Sequence, residues 1–411
     1  MATLNKPTKS TIKTHEGAPA RIINPEQRLR RSVMSCMLWE GEFYEDGDEI
    51  ASRISECVQQ VKPEIVRDIA IEAREQMKLR HVPLFIARVM AKLQTHKHLV
   101  AETLERIIQR PDELTEFLAI YWKEGKQPLS AGVKRGLALA FQKFNEYSLA
   151  KYNRDGAIKL RDVLFLCHAK PKNEEQSALW KRLVEKKLET PDTWEVELSA
   201  SKDKKASWER LLKENKLGAL ALLHNLRNMG EANVEESFIR ESIKSCGPSR
   251  VLPFRFIAAS RFAPSFEPEL EECLFKCTEA LPKLSGKTVV LVDVSGSMDA
   301  AMSSKSDMQR IDAACGLAMV LREICETTKV FTFSSNLVEV APRRGFALRD
   351  LIVGSQQHGS TELGGAVTHI NKNVPYDRII VITDEQSNST VGGPKNKGYM
   401  INVASAKNGV G

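Results

Sequence analysis

The sequence runs to 411 residues, 42% hydrophobic and 27% charged, a composition of ordinary globular domains that argues against a disordered or fibrous chain. No apolar run approaches the ~18 residues a membrane span needs, and Lys6, Lys9 and Lys13 are followed by no apolar segment, so no secretory leader is expected. The net charge is +7, and residues 123–172 hold eleven Lys or Arg against four Asp or Glu, which equals the whole excess. A local surplus of this kind is the footprint of a nucleic-acid partner or, more plainly, a solvated face of helices.

In chain order, residues 1–20 are polar and predict a mobile segment. From about Asn24 the hydrophobic period is helical and stays so to about residue 284. Leu29, Val33, Met37 and Leu38 form one apolar face; Ile50, Ile54, Cys57 and Val61 form the next. Pro63 opens a helix carrying Ile65, Ile69 and Ile71, and Pro83 and Pro111 open two more. Further helices are predicted over Gly132–Phe144, Lys159–His168, Gln176–Leu188, Trp208–Met229, Val234–Lys244, Arg255–Phe262 and Glu267–Ala280. Many helices with short connectors predict stacked helix pairs, an α-solenoid of HEAT type, with an irregular bundle as the alternative. His96 and His98 stand two apart with no third ligand nearby and read as surface histidines, not a zinc site.

Near Lys283–Gly286 the period changes. Strands are predicted at Thr288–Asp293, Lys329–Ser334, Val338–Pro342, Arg378–Asp384 and Tyr399–Ser405, with helices at Met308–Glu326 and Gly364–Asn373. Alternating strands and helices predict a doubly wound α/β domain over residues 285–411, after a helical domain over 21–284. The strand TVVLVDVSGS turns polar at its end, where Asp293, Ser295 and Ser297 are spaced by two. One carboxylate and two hydroxyls at the carboxyl edge of a buried strand are hard oxygen donors, suited to Mg²⁺, with Mn²⁺ or Ca²⁺ as alternatives. Thr361 in GSTELGGA and Asp384 at the end of RIIVITD complete a five-residue candidate site that resembles the metal-ion-dependent adhesion site of a von Willebrand factor A domain. A second acidic cluster for two-metal chemistry, a Ser/His/Asp set and a phosphate loop are not readable: in Gly286-Lys287-Thr288, Leu281 stands where the loop needs glycine. No enzyme activity is expected.

The two halves together resemble the Ro autoantigen (TROVE) family, its bacterial members included. The likeness rests on LRRSVMSCMLWEGEFYEDG, KYNRDGAIKLRDVLFLCHAKP at 151–171, DTWEVELSA, GALALLHNLRNM, VLPFRF, DVSGSM and TDEQS in this order. The resemblance implies a ring of helical repeats joined to a von Willebrand A domain. It implies binding of small noncoding Y RNA on the ring's outer surface and of single-stranded ends of misfolded RNA in its central hole. Lys151 and His168 match family positions for Y RNA contact, whereas Asp155 stands where animal members carry Arg, with Arg154 adjacent. The expected RNA surface is Lys134, Arg135, Lys143, Lys151, Arg154, Arg161, His168 and Lys170, with Lys143, Lys151 and Arg161 turned to solvent. A ribonuclease recruited through the RNA is a further expected partner of a monomeric, cytoplasmic protein. The A-domain fold carries a last strand and helix beyond the point reached at Gly411, so a five-strand core with an exposed edge is expected. The competing function is a protein-binding adhesion module that takes a partner's carboxylate on the metal. The cysteines at 36, 57, 167, 246, 273, 277, 315 and 325 form no C-x-x-C and read as reduced thiols.

Overall fold

The computed structural model describes residues 12–35, 44–247, 251–303, 306–404 and 406–411. These fall into two compact units. One takes Ile23–Glu40 and Asp46–Thr193; the other takes Met1–Ile22, Gly41–Glu45 and Trp194–Gly411.

The first unit is helical: α1 Pro25–Ser35, α2 Gly47–Gln60, α3 Pro63–Glu75, α4 His81–Lys92, α5 Val100–Ile107, α6 Pro111–Tyr121, α7 Ala131–Phe141, α8 Glu146–Tyr152, α9 Leu160–Leu166 and α10 Glu174–Val184. The helices start where the sequence supplies caps. Asp46, Ser130, Asn145 and Asn173 each accept a backbone N–H of the first turn, and Pro63 and Pro111 occupy first-turn positions that need no N–H. Lys78, His168 and Lys186 adopt left-handed φ in the connectors and close them tightly. Neighbours then pack, α1 on α2, α3 on α4 and α5 on α7. This is the helical-repeat architecture the sequence predicts. One continuous core runs from Leu29 to Leu183. Inside it Arg74 donates to Glu113 at 2.6 Å and to the Ile107 carbonyl at 3.0 Å, while Glu113 also accepts the N–H groups of Gln109 and Arg110. Both oxygens of that buried carboxylate have donors, one of them charged, the condition under which a buried pair is tolerated.

The second unit begins with α11 Trp194–Ala200, α12 Lys204–Lys213, α13 Ala219–Glu231, α14 Glu236–Ser245, α15 Phe254–Phe262 and α16 Glu267–Glu279. Strand β1 Leu284–Asp293 follows, then α17 Arg310–Ile324, β2 Cys325–Phe333, β3 Leu337–Val340, α18 Gly345–Val353, α19 Leu363–Asn373, β4 Arg378–Thr383 and β5 Lys397–Asn402. The sheet order is β3-β2-β1-β4-β5, parallel except for β3. Alternate residues of β1 serve opposite cores. Val290 and Val292 join Phe256, Ile257, Leu270 and Leu274, whereas Val289 and Leu291 join Leu363, Val367 and Ile370 of α19. A sheet covered on both faces explains the unbroken apolar run TVVLV.

The structure differs from the sequence reading at several places. The change of period near residue 284 marks a change of secondary structure, but not a border of compact units, because α12–α16 share one core with the sheet. Residues 12–20 are not a loose tail: Thr14 Oγ1 donates to the Ser387 carbonyl at 2.8 Å, and the His15 N–H donates to Gln386 Oε1 at 2.8 Å. Residues 1–11 lie outside the described residues, as do Cys36, Met37 and Leu38. The helix expected over Trp208–Met229 breaks at Asn215, whose φ of 52° ends α12 before Gly218 starts α13. His96 is 2% exposed, not a surface residue, and burial lowers its pKa. Helix α18 lies where the sequence pattern predicts no helix. The seven described cysteines are in no disulfide. Among the described residues no helix is long and apolar enough to cross a membrane.

Candidate metal centre and nucleic-acid surface

Parallel pairing sets β1 and β4 in register, Val292 opposite Ile382, so Asp293 and Asp384 leave the sheet at the same edge. Both are fully buried. Asp293 accepts the Ser295 N–H on one oxygen at 2.9 Å and the Thr383 hydroxyl on the other at 2.6 Å. Ser295 Oγ lies 3.3 Å from Ser297 Oγ, and Ser297 donates to Asp384 Oδ2 at 2.5 Å. Four of the five candidate ligands therefore form one hydrogen-bonded chain. Thr361 is buried, and its carbonyl accepts the Asn388 N–H at 3.2 Å, which ties its loop to the one after β4.

Two residues at this centre had no sequence signal. The Tyr44 hydroxyl donates to Asp384 Oδ2 at 2.5 Å, and Arg310 Nη1 stands 3.7 Å from the same oxygen. The Arg310 guanidinium also lies 4.8 Å from the centre of the Tyr44 ring. Tyr44 is far from either acidic motif in the chain, so spacing alone could not connect them. Burial, followed by the negative charge of Asp384, pushes the Asp293 carboxyl up to about 7. Two carboxylates and two hydroxyls gather here beside Arg310, and the donor set fits a small divalent cation. Asp293, Ser295, Ser297 and Asp384 would hold it, with Thr361 beside them; the ion would supply a Lewis-acidic position for an anionic ligand.

The basic candidates lie on α7, α8, α9 and their connectors. Lys134 and Arg135 are on α7, Lys151 on α8, Arg161 on α9; Arg154, His168 and Lys170 are on exposed loops. Lys134, Arg135, Arg154 and Lys170 make no ion pair among the described residues. Arg161 lies 3.8 Å from Asp162, and Lys159 pairs with Asp155 at 2.9 Å. Lys143 is exposed, as expected, but its charge is engaged. Its ammonium turns onto the carbonyls of Glu105 and Ile108 at the end of α5, where burial lowers its pKa. It closes a helix terminus while the residue stays exposed, so its charge is engaged by carbonyls.

His168, Lys134 and Lys126 line an open groove of about 520 Å³ together with Trp122 and Phe165. Phe165 is 59% exposed, unusual for a ring with no structural need to be outside. Exposed rings between cations offer a stacking platform with phosphate donors around it. The left-handed φ of 53° at His168 presents its ring from the turn after α9. Trp122 and Phe165 were missed because apolar residues in a helical period read as core.

Two domain-family models match the chain: the TROVE domain over residues 181–272 and the Ro60 vWA domain over 287–396. Telomerase protein component 1 of Rattus norvegicus is 22% identical over 300 residues, 51% of this chain and 11% of the rat protein. The Mus musculus protein of the same name is 34% identical over 90 residues, 20% of this chain and 3% of the mouse protein. The chain thus spans only a small part of the length of these relatives. The crystal structure of the Deinococcus radiodurans RO (RSR) protein superposes with a TM-score of 0.61 at 18% identity, covering 89% of this chain and 87% of that one. This likeness bears on the fold.

Proposed function

We propose that the chain, with its TROVE-domain match followed by a Ro60 vWA-domain match, is a Ro (TROVE) family RNA-binding scaffold for RNA quality control or processing. In this reading a small structured Y-like RNA lies across the outer basic surface of α7–α9. Single-stranded ends of misfolded RNA enter the central hole that the family resemblance implies, and a ribonuclease is recruited through the RNA. A divalent ion, Mg²⁺ first, is held by Asp293, Ser295, Ser297, Thr361 and Asp384. The site of action is the cytoplasm. The observation that carries the RNA reading is the groove of Trp122, Phe165 and His168, bordered by Lys134, with Arg135, Arg154 and Lys170 on the same run of helices and loops. The adhesion reading is less well supported, because Tyr44 and Arg310 already engage Asp384 Oδ2, leaving less room for a partner's carboxylate.

Titration of a hairpin RNA and an unstructured RNA at several salt concentrations tests the surface. Each phosphate contact contributes about 0.7–0.9 to the slope of log affinity against log salt. Arg154→Ala and Lys134→Ala each lower that slope by about one and weaken all sequences alike. Phe165→Ala weakens hairpin binding by about 1–3 kcal/mol, the worth of a stacked base, with the slope unchanged. Wild-type binding and slope in all three variants would remove this surface from the reading.

A further inference from the structure

α14 ends at Ser245, and Cys246 is its half-buried C-cap, with its N–H on the Ser242 carbonyl. α16 runs alongside and carries Cys273, which is fully buried, and Cys277 one turn further on. The Cys246 and Cys273 sulfur atoms are 3.3 Å apart although 27 residues separate them in the chain. That separation is inside van der Waals contact of two sulfurs and needs only a small approach to reach a bond of ~2.05 Å. Lys276, between the two α16 cysteines, donates to the Lys244 carbonyl at 2.7 Å, which brings its ammonium to the end of α14.

We propose that Cys246 and Cys273 are a dithiol that a peroxide converts to a disulfide, Cys246 as the attacking sulfur and Cys273 as the resolving one. The Cys246 thiolate attacks the peroxide O–O bond; an S–O bond forms, the O–O bond breaks, and the departing oxygen leaves as water after taking a proton. The Cys273 thiol then attacks the Cys246 sulfenic sulfur. The S–S bond forms, the S–O bond breaks, and the hydroxyl leaves as water with the Cys273 proton. Two electrons pass from the two thiols to one peroxide, which ends as two waters.

The order of roles follows from the surroundings. Cys246 is reachable from solvent; Cys273 is not. The hydrogen bond from Cys273 lowers the Cys246 pKa, with the Lys276 charge acting in the same sense against burial. The same contact and burial raise that of Cys273, keeping it a thiol until the sulfenic acid forms beside it. The bond would clamp the end of α14 to α16 without moving either helix, since both already pack together.

The full chain is exposed to graded hydrogen peroxide, its remaining thiols are alkylated, and the digest is read by mass spectrometry. The expected product is a peptide pair linked through Cys246 and Cys273, with a higher urea midpoint for the oxidised protein. Cys273→Ala leaves a sulfenic acid on Cys246 that dimedone traps, and Cys246→Ser leaves Cys273 unmodified. Cys277→Ser, at a half-buried site, still forms the link. If wild type accumulates dimedone-reactive Cys246 with no linked peptide, or links Cys246 to Cys277 instead, the proposal is overturned. So it is if Cys246→Ser, folded by circular dichroism, loses Cys273 to oxidation at the wild-type rate.

Discussion

Asp293 and Tyr44 belong to the same hydrogen-bonded centre. Asp293 is held by two donors, the Ser295 N–H and the Thr383 hydroxyl, so its carboxylate has one orientation only. Asp293→Asn keeps the volume but removes the charge that a divalent ion requires, and it turns an acceptor into a donor facing a donor. The expected outcome is loss of detectable Mg²⁺ or Mn²⁺ binding by calorimetry. Tyr44→Phe removes the hydrogen bond to Asp384 Oδ2 and the phenol's contact with Ser297, while the Ser297 bond to Asp384 can remain. That oxygen is then more available, so Tyr44→Phe should bind the ion as tightly as wild type or up to about tenfold tighter, a gain of about 1.4 kcal/mol. Undiminished binding by Asp293→Asn would refute the ligand assignment. Loss of binding in Tyr44→Phe would make the phenol itself a ligand. Asp293, Ser295, Ser297 and Asp384 were legible because each ends a strand or starts the following turn. Tyr44 and Arg310 were not, because neither the stretch LRRSVMSCMLWEGEFYEDG nor the start of α17 signals which carboxylate a tyrosine or an arginine in it will meet.

At the scale of elements, one glycine fixes how close two helices come. A Cβ on Gly136 of α7 would meet Leu104 Cβ at 2.8 Å and the Ala101 carbonyl oxygen at 3.0 Å, both on α5. Backbone and Cβ atoms cannot turn aside as a long side chain can. Gly136→Ala therefore gains helix propensity of about 1 kcal/mol but forces the pair apart, at a cost of about 1–3 kcal/mol. A net loss is expected, read as a lower urea midpoint with an unchanged slope. A midpoint at or above wild type would show that the helices separate freely. Helix existence was legible from period and caps, since proline, asparagine and aspartate mark starts whatever the tertiary context. Breaks were not: Leu211, Leu212 and Leu222 keep a helical period across Asn215, and the turn there follows from a left-handed residue that any asparagine in a helix can also decline. His96 went astray for a related reason. A polar residue at a helix boundary reads as exposed, yet the packing of neighbouring helices closes over it.

At the scale of the molecule, secondary structure and packing divide the chain in different places. One core runs from Leu29 to Leu183 and another gathers Trp208 to Ile382, joining the late helices to the sheet. Hydrophobic period reports only the first kind of division, because it senses how each segment repeats and not what it is buried against. The distinction has a consequence. A fragment of residues 1–284 keeps α12–α16 but removes β1 and β4, leaving Phe256, Ile257, Leu270 and Leu274 without Val290, Val292 and Ile380. It should remain helical by circular dichroism while melting over a broad range and aggregating through the uncovered face. A fragment of residues 23–193 cuts through neither core and should melt in one cooperative step. It also holds Lys134, Arg135, Lys151, Arg154, Arg161, His168 and Lys170, so in a filter assay it should retain hairpin RNA binding with a salt slope close to that of the full chain. If residues 1–284 melt as sharply as the full chain and 23–193 do not fold, the helices from Trp194 onward belong with the first core. If 23–193 fold but bind no hairpin, the RNA surface lies elsewhere.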